Sequence, residues 1–256
     1  MKKIKYDQYI LNNNYIVDYI VNYLNLNIKS NSIVEIGPGS CVITKKIINI
    51  FKKIYLIEID KNIIPNYFLY KKNIDIIIED ARYFNFYNLY LKNNKNKLVI
   101  FGNLPYCFSV PIIINIVKYR NYIKDVLFMV QKELCDRLLY NINSKKYGRL
   151  SVIVNLFFNT KKILDNIKPN SFIPEPKVLS SIIRMSLKNV NYNIDLDKIK
   201  KITFILFNNK RKKVKNNLLK YFSLSIISKL DNKILNMRPE NISIHEILNI
   251  INLLNF

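Results

Sequence analysis

The stretch Val34-Glu35-Ile36-Gly37-Pro38-Gly39 decides how the rest of the sequence is interpreted. An apolar run, Ile33–Ile36, leads directly into a turn that contains two of the four glycines in the 256 residues. A glycine-bearing turn at the carboxyl end of a buried strand lets the backbone approach a ligand at the edge of a parallel sheet. We therefore expect a ligand site at this turn, within an α/β domain.

The segments that follow the turn alternate between short apolar runs and helical patterns. The apolar runs are Ile54–Ile59, Ile74–Ile78, Leu98–Phe101 and Val126–Val130, and the helical patterns between them are Thr44–Phe51, Asn62–Tyr70 and Pro111–Tyr119. Runs that are hydrophobic throughout suit strands buried on both faces of a parallel sheet. The order of segments predicts a doubly wound, Rossmann-like α/β domain.

The pattern changes after about Lys188. Before it lie a helical stretch, Tyr147–Phe158, and two strand candidates, Ile163–Ile167 and Ser181–Leu187. After it the sequence predicts only helices, at Leu196–Asn209, Val214–Phe222 and Ser243–Leu254. We therefore predict two domains: an α/β domain over 1–188 and a small all-helical domain over 189–256.

The basic residues exceed the acidic ones by a wide margin, because 41 lysines and arginines face 18 acidic residues, a net charge of +23. This excess favours a polyanionic partner, either nucleic acid or an anionic membrane surface. An A/T-rich genome would also explain much of the lysine. It does not explain the block Lys210-Arg211-Lys212-Lys213, in which we expect all four side chains to bind the polyanionic partner.

The cysteines and the histidine limit the possible chemistry. Three cysteines without CxxC spacing and a single histidine, His245, make a disulfide framework, a zinc site and a histidine-based triad improbable. His245 lies in the capping-box sequence Ser243–Glu246, so we expect it in the first turn of a helix without a chemical role. No apolar run reaches the ~18 residues of a membrane span, and we predict an intracellular protein without a metal or a membrane partner.

Two carboxylates follow successive predicted strands and suggest what the turn binds. Glu58 ends the second strand, where it can accept hydrogen bonds from ribose hydroxyls, and Asp80 follows the third, where it can accept from an adenine amino group. Val42 stands where a dinucleotide fingerprint needs its third glycine, so a pyrophosphate is poorly accommodated. Either carboxylate alone could be an ordinary loop residue. As a set they describe a nucleoside pocket without a phosphate cradle, which suits S-adenosylmethionine.

The loop Gly102-Asn103-Leu104-Pro105-Tyr106 follows the fourth strand and is the predicted catalytic element. The amide oxygen of Asn103 and the carbonyl of Leu104 can both accept from an exocyclic amine, whose lone pair then points at a methyl sulfonium. Pro105 fixes the turn and has no N–H to repel the amine, while the ring of Tyr106 can stack on the base. Because methyl transfer is an in-line displacement, positioning is expected to do most of the work.

Several motifs follow one another in a specific order along the chain. They are Gln8–Leu11, Glu35–Gly39, Glu58, Glu79–Ala81, Phe101–Tyr106, Gln131–Glu133 with Arg137-Leu138, Tyr147–Ser151, Phe172–Val178, Phe207–Lys212 and Asn236–Glu240. This series resembles the ribosomal RNA adenine dimethyltransferase family across essentially the whole chain. Members of that family convert two adjacent adenosines near the 3′ end of small-subunit (16S) rRNA to N6,N6-dimethyladenosine and take part in small-subunit biogenesis.

The resemblance implies a set of site residues. The expected contacts to S-adenosylmethionine come from Tyr9, Leu11, Gly37, Glu58, Asp80 and Asn103, with Gly39 also beneath the cofactor. Phe172 is expected to cover the second face of the flipped base opposite Tyr106. The family's usual Gln-Asn-Phe-Leu is altered here, since Tyr9 and Ile10 replace Asn-Phe. The contact expected from Tyr9 is therefore one made by its backbone.

The resemblance also implies partners and leaves alternatives. We expect a monomer that acts on small-subunit rRNA or a pre-30S-type particle, in a bacterial cytoplasm or the matrix of a genome-bearing organelle. The alternatives are a large-subunit rRNA adenine methyltransferase of the macrolide-resistance type and a ribosome-assembly or transcription factor on the same fold. A basic α/β protein with another adenine-nucleotide ligand is a further alternative.

Overall fold

The computed structural model of the chain describes residues 9–189 and 195–254. Gln8, the first residue of the N-terminal motif, lies outside the described residues. Strands occupy Ile10–Leu11 (β1), Ser32–Ile36 (β2), Lys53–Glu58 (β3), Ile74–Ile78 (β4), Leu98–Asn103 (β5), Ile123–Gln131 (β6), Phe158–Ile167 (β7), Phe172–Ile173 (β8) and Ser180–Leu187 (β9). Every strand expected from an apolar run is confirmed, and β2, β3, β5 and β6, which lie inside the sheet, are almost entirely buried.

Seven of these strands form one sheet in the order β4-β3-β2-β5-β6-β9-β7. The pairs β3–β4, β2–β3, β2–β5 and β5–β6 are parallel, and β9 runs antiparallel to β6. The strand order reverses between β2 and β5, so the loops after these two strands face each other. This is the edge at which an open α/β sheet binds its ligand. The predicted Rossmann-like α/β fold is confirmed.

Helices occupy Asn14–Asn27 (α1), Val42–Ile47 (α2), Phe86–Lys92 (α3), Ser109–Lys118 (α4), Lys132–Leu139 (α5), Arg149–Phe157 (α6), Leu196–Phe207 (α7), Val214–Leu218 (α8), Leu224–Ile227 (α9), Asn232–Asn236 (α10) and Ile244–Leu253 (α11). The helix expected over Asn62–Tyr70 is wrong. Only a short 3-10 helix, Asn66–Tyr70, forms there, and Pro65 before it is extended. A residue that precedes proline is disfavoured in the helical conformation, which explains why no α-helix crosses this position.

Side chains from the helices and from the strands of the first unit pack together in one hydrophobic core. Along α1, Ile16, Val17, Ile20 and Leu24 are buried, and Asn13 caps the helix by accepting from the backbone N–H of Ile16. The strands contribute fully buried side chains such as Ile33, Ile54 and Leu56 to the same hydrophobic cluster. This packing fixes the strand ends from which the functional loops project.

The chain divides by its contacts into two compact units. One comprises the residues up to Cys135 together with Asn159–Leu187, and the other comprises Asp136–Phe158 together with the residues from Lys188 onward. This grouping differs from the predicted division at 188/189 in the position of residues 136–158. The reason is that α6 packs against α7, while Ser151 and Asn155 on α6 donate to the carbonyls of Arg137 and Leu138.

The second unit is helical after Lys188 in the part of it that the structure describes, as predicted. The helix expected over Val214–Phe222 is shorter, since α8 ends at Leu218. Ser243 and Glu246 form the expected capping box at the start of α11, with His245 in its first turn. Among the described residues, none of the helices has both the length and the apolar character needed to cross a membrane.

Candidate active site

A deep cleft opens where β2, β3, β4 and β5 end. Its empty space, counted together with the solvent at its mouth, is about 920 Å³. The predicted site residues that line it are Tyr9, Leu11, Gly37, Gly39, Glu58, Asp80, Asn103, Leu104 and Pro105. Residues that the sequence places far apart therefore meet around one cavity, as expected from the topology of the sheet.

The turn after β2 lines this cleft. Gly37 and Gly39 both have positive φ angles, +64° and +53°, which side chains rarely tolerate. The N–H of Gly37 donates to the carbonyl of Ile57 at 2.9 Å, and the N–H of Gly39 donates to Oε2 of Glu58 at 3.2 Å. The turn is thereby tied to β3, the neighbouring strand.

Glu58 is only 4% exposed and holds two loops together. Its Oε1 accepts from the backbone N–H groups of Ile59 at 2.9 Å and Asp60 at 3.2 Å, while Oε2 accepts from Gly39. Burial raises the pKa of this carboxyl group, and the three backbone donors oppose that effect. A carboxylate offers about four acceptor positions, so Oε2 keeps one for a hydroxyl in the cleft.

Asp80 is bound by Arg82, a residue that the sequence analysis did not identify. The guanidinium of Arg82 donates to both carboxylate oxygens, and the backbone N–H of Arg82 donates to Oδ1 at 2.9 Å. These bonds hold the pKa of Asp80 below its usual value. Arg82 also lies over the ring of Phe108, 4.1 Å from its centroid, and Phe108 lines the cleft. The spacing of an aspartate two residues before an arginine was the available signal.

Asn103 is the polar side chain at the end of β5. Its Nδ2 donates to the backbone carbonyl of Tyr9 at 2.7 Å, so its oxygen is directed the other way. Oδ1 is buried, and within residues 9–189 and 195–254 no group donates a hydrogen bond to it. A buried acceptor without a partner costs about 1–3 kcal/mol. Asn103 therefore presents an acceptor that is suited to a donor from a ligand.

Gly102, directly before Asn103, is required by a close approach between strands. A Cβ atom at this position would lie 2.3 Å from the carbonyl oxygen of Ile36 on β2. The N–H of Leu104 donates to the carbonyl of Met129 at 3.0 Å, which ties the loop to β6. The loop is thus held on both sides, and Asn103 has little freedom to change its position.

Tyr106 begins a short 3-10 helix, Tyr106–Phe108, just after Pro105. Its ring stacks on that of Tyr9, with centroids 5.0 Å apart and an angle of 29° between the planes. Its hydroxyl lies 2.5 Å from the hydroxyl of Ser180. Tyr106 is therefore held at its tip, and one face of its ring is next to Tyr9.

Phe172 does not occupy the position that the resemblance implied. Its side chain is 1% exposed and belongs to the hydrophobic core, where β8 pairs with β1. A ring buried in this way cannot cover a face of a base in the cleft. The residue instead helps to fix Leu11, its partner in the strand pair.

Like Arg82, Glu35 is a residue for which the sequence predicts no role. It lines the cleft, is 3% exposed and accepts a hydrogen bond from the hydroxyl of Thr44 at 2.5 Å. Burial raises the pKa of Glu35 from 4.5 to about 8. The available signal was a carboxylate inside an otherwise apolar strand, Ile33–Ile36.

The full sequence agrees with this geometry, since residues 1–255 match the family model described as ribosomal RNA adenine dimethylase. The chain belongs to the ribosomal RNA adenine dimethylase family. The resemblance seen in the sequence is confirmed. So is the predicted enzyme class, since the family consists of S-adenosylmethionine-dependent rRNA adenine dimethyltransferases.

Relatives of this dimethylase cover nearly its whole length. A ribosomal RNA small subunit methyltransferase A from Wigglesworthia glossinidia brevipalpis is 38% identical over 257 residues, which is 97% of this chain and 95% of the relative. A dimethyladenosine transferase from Plasmodium falciparum has a TM-score of 0.79 at 25% identity, covering 96% of this chain and 97% of that one. The 23S rRNA methyltransferase ErmE has a TM-score of 0.66 at 17% identity and covers 96% and 100%. The last likeness concerns the fold alone.

The cleft of this dimethylase fits S-adenosylmethionine by the chemistry of its residues. Glu58 keeps an acceptor position for a ribose hydroxyl, and Asn103 Oδ1 is a buried acceptor without a donor. Val42 lines the cleft in place of the third glycine of a dinucleotide fingerprint, so the turn suits a nucleoside without a pyrophosphate.

The basic block of the dimethylase contains one side chain with a structural role. Nζ of Lys210 donates to the carbonyl of Tyr147 at 2.8 Å, and burial lowers its pKa. A Cβ at Gly148 would lie 3.0 Å from this Nζ, so a larger residue there would displace the ammonium group slightly. Arg211, Lys212 and Lys213 are exposed. Lys210 is therefore an internal anchor, and RNA binding by the block stays a prediction, for which Arg211, Lys212 and Lys213 are the exposed side chains.

Proposed function

We propose that this rRNA adenine dimethylase transfers methyl groups from S-adenosylmethionine to N6 of two adjacent adenosines near the 3′ end of small-subunit rRNA. The observation that carries the proposal is the buried Oδ1 of Asn103, which has no hydrogen-bond donor among the residues that the structure describes. An exocyclic amine supplies the donor that this oxygen lacks, and accepting that hydrogen bond orients the nitrogen lone pair. The enzyme does not need a strong base, because the proton can leave after the nitrogen has attacked.

The residues at the cleft hold the methyl donor in this proposal. Glu58 accepts from its ribose, Asp80 lies at its adenine, and Gly37, Gly39 and Leu11 form the surrounding wall. When bound, S-adenosylmethionine supplies an electrophilic methyl group on sulfonium. Asp80 remains ionised there, because Arg82 lowers its pKa. The carboxylate can therefore act only as an acceptor.

The loop Asn103–Tyr106 receives the target adenine. The base must leave its stack to reach a cleft of this depth, as in other enzymes that modify a base. Tyr106 stacks on it, Asn103 Oδ1 and the Leu104 carbonyl accept from its amine, and Pro105 keeps the turn free of a competing N–H. Since the ring of Tyr9 already lies against one face of Tyr106, the adenine is expected on the opposite face.

The expected partner is small-subunit rRNA, free or in an assembling particle, and the expected state is a monomer. The net charge of +23 supports an RNA partner, because cationic side chains that neutralise phosphates release counterions. We propose a bacterial-type cytoplasm as the location, since the relatives of the chain include bacterial proteins.

The proposal is tested by mapping methylated adenosines by mass spectrometry on rRNA from cells that lack this gene, with and without complementation. We expect the two adjacent N6,N6-dimethyladenosines of small-subunit rRNA to be absent in the deletion strain and restored by the gene. Restoration of a methyl group on large-subunit rRNA alone would contradict the proposal.

A further inference from the structure

A second cleft lies at the opposite edge of the sheet from the active site, where β2, β3, β5 and β6 begin. Its empty space is about 1170 Å³. The side chains around it are mainly those of lysine and asparagine, and none is acidic. We call it the lysine cleft after the six lysines that line it: Lys29, Lys52, Lys53, Lys92, Lys97 and Lys124.

Most of the positive charge in the lysine cleft is not neutralised. Asp75 accepts from Nζ of Lys53 at 2.6 Å and from Nζ of Lys92 at 2.7 Å. Within the described ranges, no carboxylate lies at ion-pair distance from the ammonium groups of Lys29, Lys52, Lys97 and Lys124, and all four side chains are exposed. Like charges around one concave surface repel each other. A bound anion would relieve this repulsion.

Hydrogen bonds hold the segments at the edge of the lysine cleft in place. The side-chain amide of Asn93 donates to the carbonyl of Asn96 at 3.1 Å, and the amide of Asn96 donates back to the carbonyl of Asn93 at 3.1 Å. Lys97 follows directly after this closed loop. Nζ of Lys124 lies 3.4 Å from the carbonyl of Lys29, which joins two other segments of the rim. Little ordering is therefore required for binding.

The arrangement of the lysines favours an extended polyanion. All of them except Lys92 lie within three residues of the starts of four adjacent strands, and neighbouring strands are about 4.8 Å apart, so the charges are spread over ~14 Å. A single small anion can contact only part of such a row. A membrane surface is disfavoured, because the cleft is concave and its aromatic residue, Tyr55, is 3% exposed. Asparagine amides beside lysines suit the oxygens of a sugar-phosphate backbone.

We propose that the lysine cleft binds the phosphate backbone of a second segment of the substrate RNA, away from the segment that enters the active site. The inference rests on the proposed function, since it takes rRNA as the substrate. The two clefts lie at opposite ends of the same strands, about 17 Å apart for a five-residue strand. An RNA long enough to extend from one end of these strands to the other can contact both clefts, whereas a short hairpin can contact only one.

The direct test compares two triple variants with equal loss of charge. K29Q/K97Q/K124Q changes the lysine cleft, and K45Q/K118Q/K161Q changes exposed lysines of the same unit outside it. Each is titrated with full-length small-subunit rRNA and with a short hairpin that carries the target adenosines. We expect the cleft variant to bind the full-length rRNA about tenfold more weakly. The salt slope, which is the slope of the logarithm of affinity against the logarithm of salt concentration, should be smaller in magnitude by about 2–3. We expect its hairpin affinity to match that of the control variant.

Two outcomes would overturn the inference. One is equal binding of full-length rRNA by the two triple variants. The other is an equal loss for the hairpin and the full-length rRNA in the cleft variant, which would mean a general effect of charge. A failure of the proposed function can be distinguished from a failure of this inference, because in the first case the wild-type protein would not methylate small-subunit rRNA at all.

A footprint of the wild-type protein makes the test independent of variant folding. Lysine amines are acylated with and without bound full-length rRNA, and the modified peptides are quantified by mass spectrometry. Lys29, Lys97 and Lys124 should be protected several-fold more than Lys45, Lys118 and Lys161. Equal modification of both sets would contradict the inference.

Discussion

The side-chain amide of Asn103 donates a hydrogen bond to the backbone carbonyl of Tyr9 across 2.7 Å, joining positions 94 residues apart. The bond uses the amide nitrogen and therefore fixes which way the amide oxygen points. That oxygen is buried without a donor. Because the contact uses the backbone of Tyr9, it does not depend on the side chain that replaces the family's usual asparagine.

Asn103→Ala should therefore remove the acceptor that orients the target amine. We expect kcat for methyl incorporation to fall by about 100-fold or more, since positioning is the main contribution to catalysis. RNA affinity, measured by filter binding, should stay within about twofold, because phosphate contacts dominate it. Asn103→Asp is the matched variant, since it keeps an oxygen but loses the donor to Tyr9, and it should also be inactive. Unchanged turnover in either variant would refute this role.

Glu58→Ala should weaken S-adenosylmethionine binding. Hydrogen bonds to charged groups contribute about 1.5–3 kcal/mol, which corresponds to about a 10- to 100-fold higher Kd in calorimetry. Glu175→Gln is the control, because it removes an exposed carboxylate of the same unit away from the residues that line the cleft. Since Glu58 also accepts three backbone N–H groups, thermal unfolding of each variant is measured in parallel. Equal Kd values for the two variants would contradict the ribose role.

Glu35 should make the free energy of unfolding depend on pH. Burial raises the pKa of Glu35 from 4.5 to about 8, so the folded state keeps a proton that the unfolded state has lost between these values. The contribution of this group is full below about pH 4.5 and is lost as the pH rises to about 8. Urea unfolding across this window should show stability falling with pH, with a smaller fall in Glu35→Gln. Identical slopes in the two proteins would disprove the assignment.

The basic block should divide into one anchor and an RNA-binding surface. Lys210→Met removes the donor to the Tyr147 carbonyl and should lower the free energy of unfolding by about 1 kcal/mol or more. R211Q/K212Q should leave stability within about 0.5 kcal/mol and reduce the salt slope of RNA binding by about 2. A stability loss in the double variant, or a flat salt dependence in the wild type, would contradict this division.

The strands and the cleft could be predicted from the sequence because their signals are local. The run Ile74–Ile78, in which only Asp75 is polar, predicts β4 to the residue. Gly37, Glu58, Asp80 and Asn103 follow successive strands, and the topology of a parallel sheet brings such positions together. The helix α1 is absent from the sequence-based prediction, although Ile16, Ile20 and Leu24 have helical spacing.

The remaining features depend on burial, which the residue type alone does not reveal. Phe172 occurs in a family motif, yet its ring packs in the core. Lys210 looks like its three basic neighbours in the sequence, but it reaches a carbonyl 63 residues earlier. The spacing of Asp80 and Arg82 allows an ion pair, but only the structure shows that the guanidinium turns back onto the carboxylate.

The central claim is tested most directly by incubating purified protein and labelled S-adenosylmethionine with small and large ribosomal subunits from cells that lack the dimethylation. The account predicts label in N6,N6-dimethyladenosine at two adjacent positions near the 3′ end of small-subunit rRNA, and none with Asn103→Ala. Label confined to large-subunit rRNA, or equal labelling by wild type and Asn103→Ala, would contradict it.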